Sequence, residues 1–155
     1  MATATPTATH TPTPVPNDDK ASAQPIKQPT AISMDVRRAT IEQDDPIFTC
    51  QLLGPQSHTV WYVYTPSLPQ QVLTLNTAGS SYDTIMGVWR MHSGGLDPKA
   101  CNNDYGDVRQ ARIDNLLVDA GETYLIGIAA NDAIGDWAAD LCRYRSCAYS
   151  HAHTH

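Results

Sequence analysis

Basic residues are few in this chain of 155: ten lysines and arginines stand against sixteen aspartates and glutamates, a net charge of −6 with histidine neutral. Such a surface offers a phosphate backbone no cationic footprint, which excludes nucleic acid as an expected partner. Long hydrophobic runs are missing too. No uninterrupted apolar stretch approaches the roughly 20 residues of a membrane-spanning helix, and the mean hydropathy of −0.35 agrees. Aromatics are scarce, at 7% with a single Phe, which predicts that part of the length is not core. The sequence contains no GxSxG, no HExxH and no phosphate-loop glycine pattern. No catalytic constellation stands in their place, and the expectation is that the chain is not an enzyme.

What is present begins with threonine and proline. Residues 1–16 read MATATPTATHTPTPVP, and residues 17–29 stay polar through Asp18, Asp19, Lys20, Pro25 and Pro29. Each proline fixes φ and withholds an amide proton, so the stretch favours an extended spacer. A disordered Thr/Pro linker is therefore expected over residues 1–30. The first 16 residues show neither the basic start nor the apolar run of a secretory signal. Because a spacer of this kind joins two folded units, the chain reads as a fragment of a longer secreted protein, or as one whose start was assigned too late.

From residue 38 the period changes to two, the signature of strands. Residues 58–66 hold Val60, Tyr62 and Tyr64 on one face and Trp61, Val63 and Thr65 on the other. Leu73, Leu75 and Thr77 follow, and then Met86 and Val88 opposed to Ile85 and Trp89. Ile113, Leu116 and Val118 form another set, and Tyr124, Ile126 and Ile128 the last. Turn chemistry separates them at residues 66–69, 78–81, 93–95 and 119–122. Several short strands without a convincing helix predict an all-β antiparallel sandwich or jelly roll over residues 31–134. Trp61 and Trp89 are expected in the core, one per sheet. Among Tyr62, Tyr64 and Tyr105, any that faces outward could stack on a sugar ring or a peptide side chain. His58 and His92 begin and end strands and should face solvent. Asp44 and Asp45 before Pro46 read as a turn, and Asp104 and Asp107 as an acid/base pair only in principle.

Four cysteines, Cys50, Cys101, Cys142 and Cys147, allow three complete pairings and include no CxxC. Cys50 closes a candidate first strand over residues 46–50, and Cys101 follows the Gly94-Gly95 loop. A disulfide between them would tie one end of the domain to a mid-sequence loop and fit an oxidising compartment; two buried free thiols are the alternative.

The strings TVWYVYTP, NTAGSSYDTIMGVW, ACNND and DAGETYLIGI, in that order over residues 36–130, resemble the bacterial pre-peptidase C-terminal domain. The resemblance implies a jelly-roll module, non-catalytic and extracellular, found beside peptidases or other secreted modules and joined by Thr/Pro linkers. In the residues themselves, Asn102, Asn103 and Asp104 crowd one loop, and Asp83 sits in another. They form either a network of Asx turns or, should the two loops meet, a calcium site, since calcium takes six to eight oxygens. Where the family pattern carries aspartate this chain has Asn103, which removes a charge and should weaken calcium binding.

After Ile128 the alternation fades, and the chain ends in His151, His153 and His155 with Cys142 and Cys147 upstream. Alternate histidines on an extended strand share a face and suit zinc, copper or nickel. Codons for the final ten residues, read one base later, can instead spell another Pro/Thr run. A frame shift between about residues 131 and 143 would make 135–155 an atypical tail, with the cysteines and histidines accidental. It would also leave the sandwich short of its last strand, with an unpaired edge. Together these features predict a non-catalytic extracellular accessory or binding module of a larger secreted bacterial protein, with calcium at the Asp83 and Asn102 to Asp104 loops as its candidate ion and Asx turns as the alternative. Its partners would be neighbouring domains and a polysaccharide or protein ligand, with no nucleic acid and no membrane span. The alternatives are a fragment of a secreted hydrolase and a carbohydrate-binding module.

Overall fold

The computed structural model describes residues 14–51 and 56–131, and residues 146–153 as backbone. Among the described residues a short 3-10 helix, Lys20–Ser22, precedes nine strands: β1 (Gln24–Pro25), β2 (Thr30–Met34), β3 (Ser57–Tyr64), β4 (Gln71–Asn76), β5 (Thr84–His92), β6 (Gly95–Asn102), β7 (Arg112–Val118), β8 (Thr123–Ala130) and β9 (Ser146–His153). They form two packed sheets, ordered β1-β3-β8-β5-β6 and β2-β9-β4-β7. Apart from the short parallel β1–β3 pair, every pairing is antiparallel. The all-β sandwich expected from the period-two pattern is what the chain forms. Among the described residues no helix is long and apolar enough to cross a membrane.

Alternation along each strand splits the apolar residues between two cores. Val60, Tyr62 and Tyr64 of β3, Met86 and Val88 of β5, and Tyr124, Ile126 and Ile128 of β8 face the second sheet, where Leu73, Leu75, Ile113 and Val118 meet them. A buried hydroxyl pair helps join the sheets: Thr77 Oγ1 and Thr84 Oγ1 lie 2.5 Å apart, and both reach Ala111. Since Thr77 donates to the Ala111 carbonyl and Thr84 accepts the Ala111 N–H, the proton between the hydroxyls belongs to Thr84. Every member of this buried trio is thereby satisfied.

The opposite face of the five-stranded sheet carries Trp61, Ile85, Trp89, Leu125 and Ala129, and Phe48 closes over them. Trp61 and Trp89 are thus core residues, but not one per sheet. β3 and β5 belong to the same sheet, and both indoles lie on its outer side, with ring centroids 5.8 Å apart. Room for them comes from Gly87 and Gly127, cross-strand partners on β5 and β8. A Cβ at Gly127 would lie 2.5 Å from the Trp61 ring, and one at Gly87 would overlap the Trp89 ring.

Residues 35–51 form a strap of successive turns, with Ala39, Asp45 and Gln51 each donating to the carbonyl three residues earlier; Val36 and Ala39 pack into the inter-sheet core, and Phe48 and Cys50 cover the outer one. The strand expected over residues 46–50 is not formed. Ile47, Phe48 and Thr49 do alternate between exposed and buried, but the Gln51 N–H donates to the Phe48 carbonyl, so the segment folds into a turn and its backbone pairs with no strand among the described residues. The strap leaves the outer edge of β3, where Thr59 N–H donates to Thr40, and ends on β6 at a disulfide between Cys50 and Cys101. The bridge anticipated between these two cysteines therefore exists, and it ties down a covering segment rather than a strand.

The linker expected over residues 1–30 ends sooner. Residues 1–13 lie outside the described part, but Val15 and Asn17 are already buried. Asn17 accepts the Trp61 N–H through its own carbonyl, and its side-chain amide donates to the Trp61 carbonyl at 2.9 Å. Asp18 accepts from the Thr40 N–H at 2.5 Å. The physical reason is the free edge of β3, whose main-chain groups must be satisfied. Polar residues serve that purpose as well as apolar ones, and here Thr40, Asn17 and β1 divide the edge among them.

The expectation of a missing last strand is also corrected. β9 lies between β2 and β4, antiparallel to both, with Thr30 opposite Ser150 and Leu75 opposite Ser150 on the other side. Strand pairing uses main-chain groups that every residue other than proline supplies in full, so weak apolar alternation does not forbid an inner position. Residues 132–145, over which the frame shift was expected, lie outside the described residues, as does His155.

Candidate functional site

Two places bring chemistry-bearing residues together. The first is the end of the five-stranded sheet where β5 begins and β6 ends. Met86 pairs with Asn102, so Asp83, just before β5, and Asn103 and Asp104, just after β6, fall at the same end of neighbouring strands. Both loops therefore stand at one end of the sheet. Asn102 is committed to shaping its loop: its Oδ1 accepts the Arg112 N–H at 2.8 Å and its Nδ2 donates to the Asp104 carbonyl at 3.0 Å. Asn103 is half-buried, and its Oδ1 is buried with no hydrogen-bond partner among the described residues. Asp104 is exposed, while Asp83 is half-buried with its carbonyl accepting the Asn131 N–H. Among the described residues no three His, Cys, Asp or Glu side chains converge. A cation held here would therefore draw on the Asn103 amide oxygen, carbonyls and water as well as on carboxylates.

Beyond Asp104 the loop is closed by reciprocal hydrogen bonds between Tyr105 and Val108, with Gly106 at φ 64° making the turn. The Arg112 guanidinium lies 4.8 Å from the centre of the Tyr105 ring, and its Nε donates to Asp114. That ion pair pushes the Arg112 guanidinium's pKa up. Tyr105 is 46% exposed, whereas Tyr62 and Tyr64 are buried in the inter-sheet core and present no aromatic surface. Asp104 and Asp107 both lie exposed on this loop. Of the histidines, His92 is exposed and its Nδ1 accepts the Gly94 N–H, while His58 is half-buried.

The second place is a groove of about 550 Å³ on the outer face of the five-stranded sheet, beside the Phe48 core. Met91, Leu96 and Leu125 contribute apolar surface, and Asp19, Lys20, Glu42, Asp44 and His92 are its ionisable residues. Lys20 pairs with Asp44, and the hydrogen bond from Lys20 draws the Asp44 carboxyl below the usual range. Next to it, burial pushes the Asp45 carboxyl up, against the Glu42 N–H that it accepts. Nothing in the sequence announces this groove. Asp19 and Lys20 read as linker, and they reach β5 and β6 only because Asn17 and Asp18 dock the preceding chain. Compared with known proteins, the chain matches no family model and no curated protein.

Proposed function

We propose that this protein is a non-catalytic extracellular accessory or binding module of a larger secreted bacterial protein, similar to pre-peptidase C-terminal domains and stabilised by calcium. The observation that carries the reading is the disulfide from Cys50 to Cys101, which pins a strap across the outer face of a sandwich sheet. Disulfides form and persist where thiols are oxidised, as in secreted proteins. Support for a non-catalytic role comes from how the acids are used: Asp35 pairs with Arg37, Asp97 with Arg90 and Lys99, and Asp114 with Arg112. These pairs hold the Asp35 and Asp97 carboxyls below the usual range, through hydrogen bonds from Arg37 and from Lys99 respectively. Such groups stay ionised at neutral pH and are poor proton shuttles.

Calcium would sit on oxygens of Asp83, Asn103 and Asp104, with Asn102 holding the loop in shape. Thermal unfolding in calcium and in EDTA is the test. A higher Tm in calcium, abolished by Asp83→Ala or Asp104→Ala, is expected; equal melting in both would leave the loops as turns only. Retention of the chain on immobilised polysaccharide or collagen would assign the ligand class, and turnover of a peptidase substrate would overturn the non-catalytic reading.

A further inference from the structure

We propose that the groove beside the Phe48 core binds an arginine or lysine side chain presented by an extended segment of a partner polypeptide. The inference deepens the binding-module reading and rests on it. Its first support is the charge of the groove: three carboxylates, Asp19, Glu42 and Asp44, against one ammonium, Lys20. Lys20 is already neutralised by Asp44. Asp19 spends one oxygen on the Ala21 N–H at 2.7 Å, and Glu42 spends one on the Thr40 hydroxyl at 3.0 Å. The second oxygen of each accepts no hydrogen bond from a described residue, so two carboxylates remain for a cation.

The floor supplies the other half of the recognition. Leu96 and Leu125 belong to or pack on the outer core, and Met91 at the mouth is 41% exposed. An aliphatic stem suits this surface while its charged head reaches the carboxylates, the arrangement long basic side chains adopt at apolar surfaces. At about 550 Å³, and with most of its lining residues exposed, the groove is open enough to take one side chain from a longer segment without enclosing a whole ligand. The form of the ligand follows from β6, the outermost strand of its sheet, whose first residues, Gly95 and Leu96, line the groove. Nothing lies within 4 Å of where a Cβ on Gly95 would be, so the strand is uncovered there, and as the outermost strand β6 has no neighbour on its far side among the described residues. An extended segment can pair there while it lowers its side chain inward.

The probe is a fluorescein-labelled Ala-Val-Arg-Val-Ala peptide, titrated with the full chain by anisotropy, beside the same peptide with citrulline for arginine. Citrulline keeps the shape and removes the charge. Asp19 and Glu42 are exposed, where an ion pair is worth up to about 1 kcal/mol or about fivefold, so the arginine peptide should bind severalfold more tightly than its citrulline partner. Asp19→Asn and Glu42→Gln keep the internal hydrogen bonds that each residue makes, and together they should erase that preference without lowering Tm. Leu117→Ala, on the other sheet, should leave binding unchanged. Equal binding of the two peptides, or an unchanged preference in the double variant, overturns the proposal. If the peptide fails while the calcium shift and polymer retention persist, the groove alone is lost; if all three fail, the binding-module reading falls with it.

Discussion

Gly87 and Gly127 are decided by what stands above them. Each lies in the middle of a strand, where glycine ordinarily weakens a sheet, and neither is needed for a positive φ. Their value is the missing Cβ, which lets the Trp89 and Trp61 rings lie flat on the strands. Gly87→Ala and Gly127→Ala are each expected to lower stability by about 1–3 kcal/mol, the usual cost of overpacking. A fall in the urea midpoint at constant m-value is the measurement; an unchanged midpoint would mean that the indoles shift freely. At this scale the sequence was partly legible. The apolar period of β3, β5 and β8 showed which residues share a face, and Trp61 and Trp89 were identifiable as core. That both occupy the outer face of one sheet was not, because sheet membership depends on partners distant in the chain.

The strap is the element whose behaviour depends most on one bond. Its residues make turns rather than a sheet, and its hold on the outer core is Phe48, which meets Trp89 edge-on at 5.1 Å, together with the disulfide. Closing a loop across a sequence separation of 51 is worth about 4 kcal/mol in the chain-entropy account. Replacing both cysteines by serine should cost about that much in chemical denaturation. It should also shift tryptophan emission to the red as water reaches Trp61 and Trp89. Unchanged emission would show that Phe48 holds the strap without the bond. Another unread element, β6, has a local cause: Asp97, Pro98 and Lys99 interrupt any apolar alternation. An edge strand tolerates them, since a proline there need not donate to a neighbour. β7, the edge of the other sheet, is blunted differently, by a register shift opposite Leu73 and Leu75 with Asn115 at φ 56°.

For the whole molecule, the described structure is a sandwich whose five-stranded sheet is also covered on its outer face by Phe48, while β1 and β2 extend the two sheets. Its amino-terminal boundary falls near Val15, not near residue 31. A chain begun at Gln24 would lose Val15 from the core and both hydrogen bonds between Asn17 and Trp61. At about 1 kcal/mol per hydrogen bond, a loss of about 2 kcal/mol or more is expected. Denaturation of the two chain lengths measures it, and equal stability would return residues 14–23 to the role of a spacer. The same truncation removes Asp19 and Lys20, and with them one wall of the groove.

What the sequence by itself determined is what short-range physics can write: period-two strands, turns at glycine and proline, the acidic balance, and a cluster of oxygen-bearing side chains around Asn102. These depend on neighbours one to four residues away. Only the tertiary structure decided that Cys50 joins Cys101, that Asp83 stands at the same sheet end as Asn103, and that residues 14–30 belong to the fold. It alone placed β9 between β2 and β4 and opened a groove between Asp19 and Met91. Each of these depends on which strand edges and sheet faces were left to be covered, and no local pattern records that.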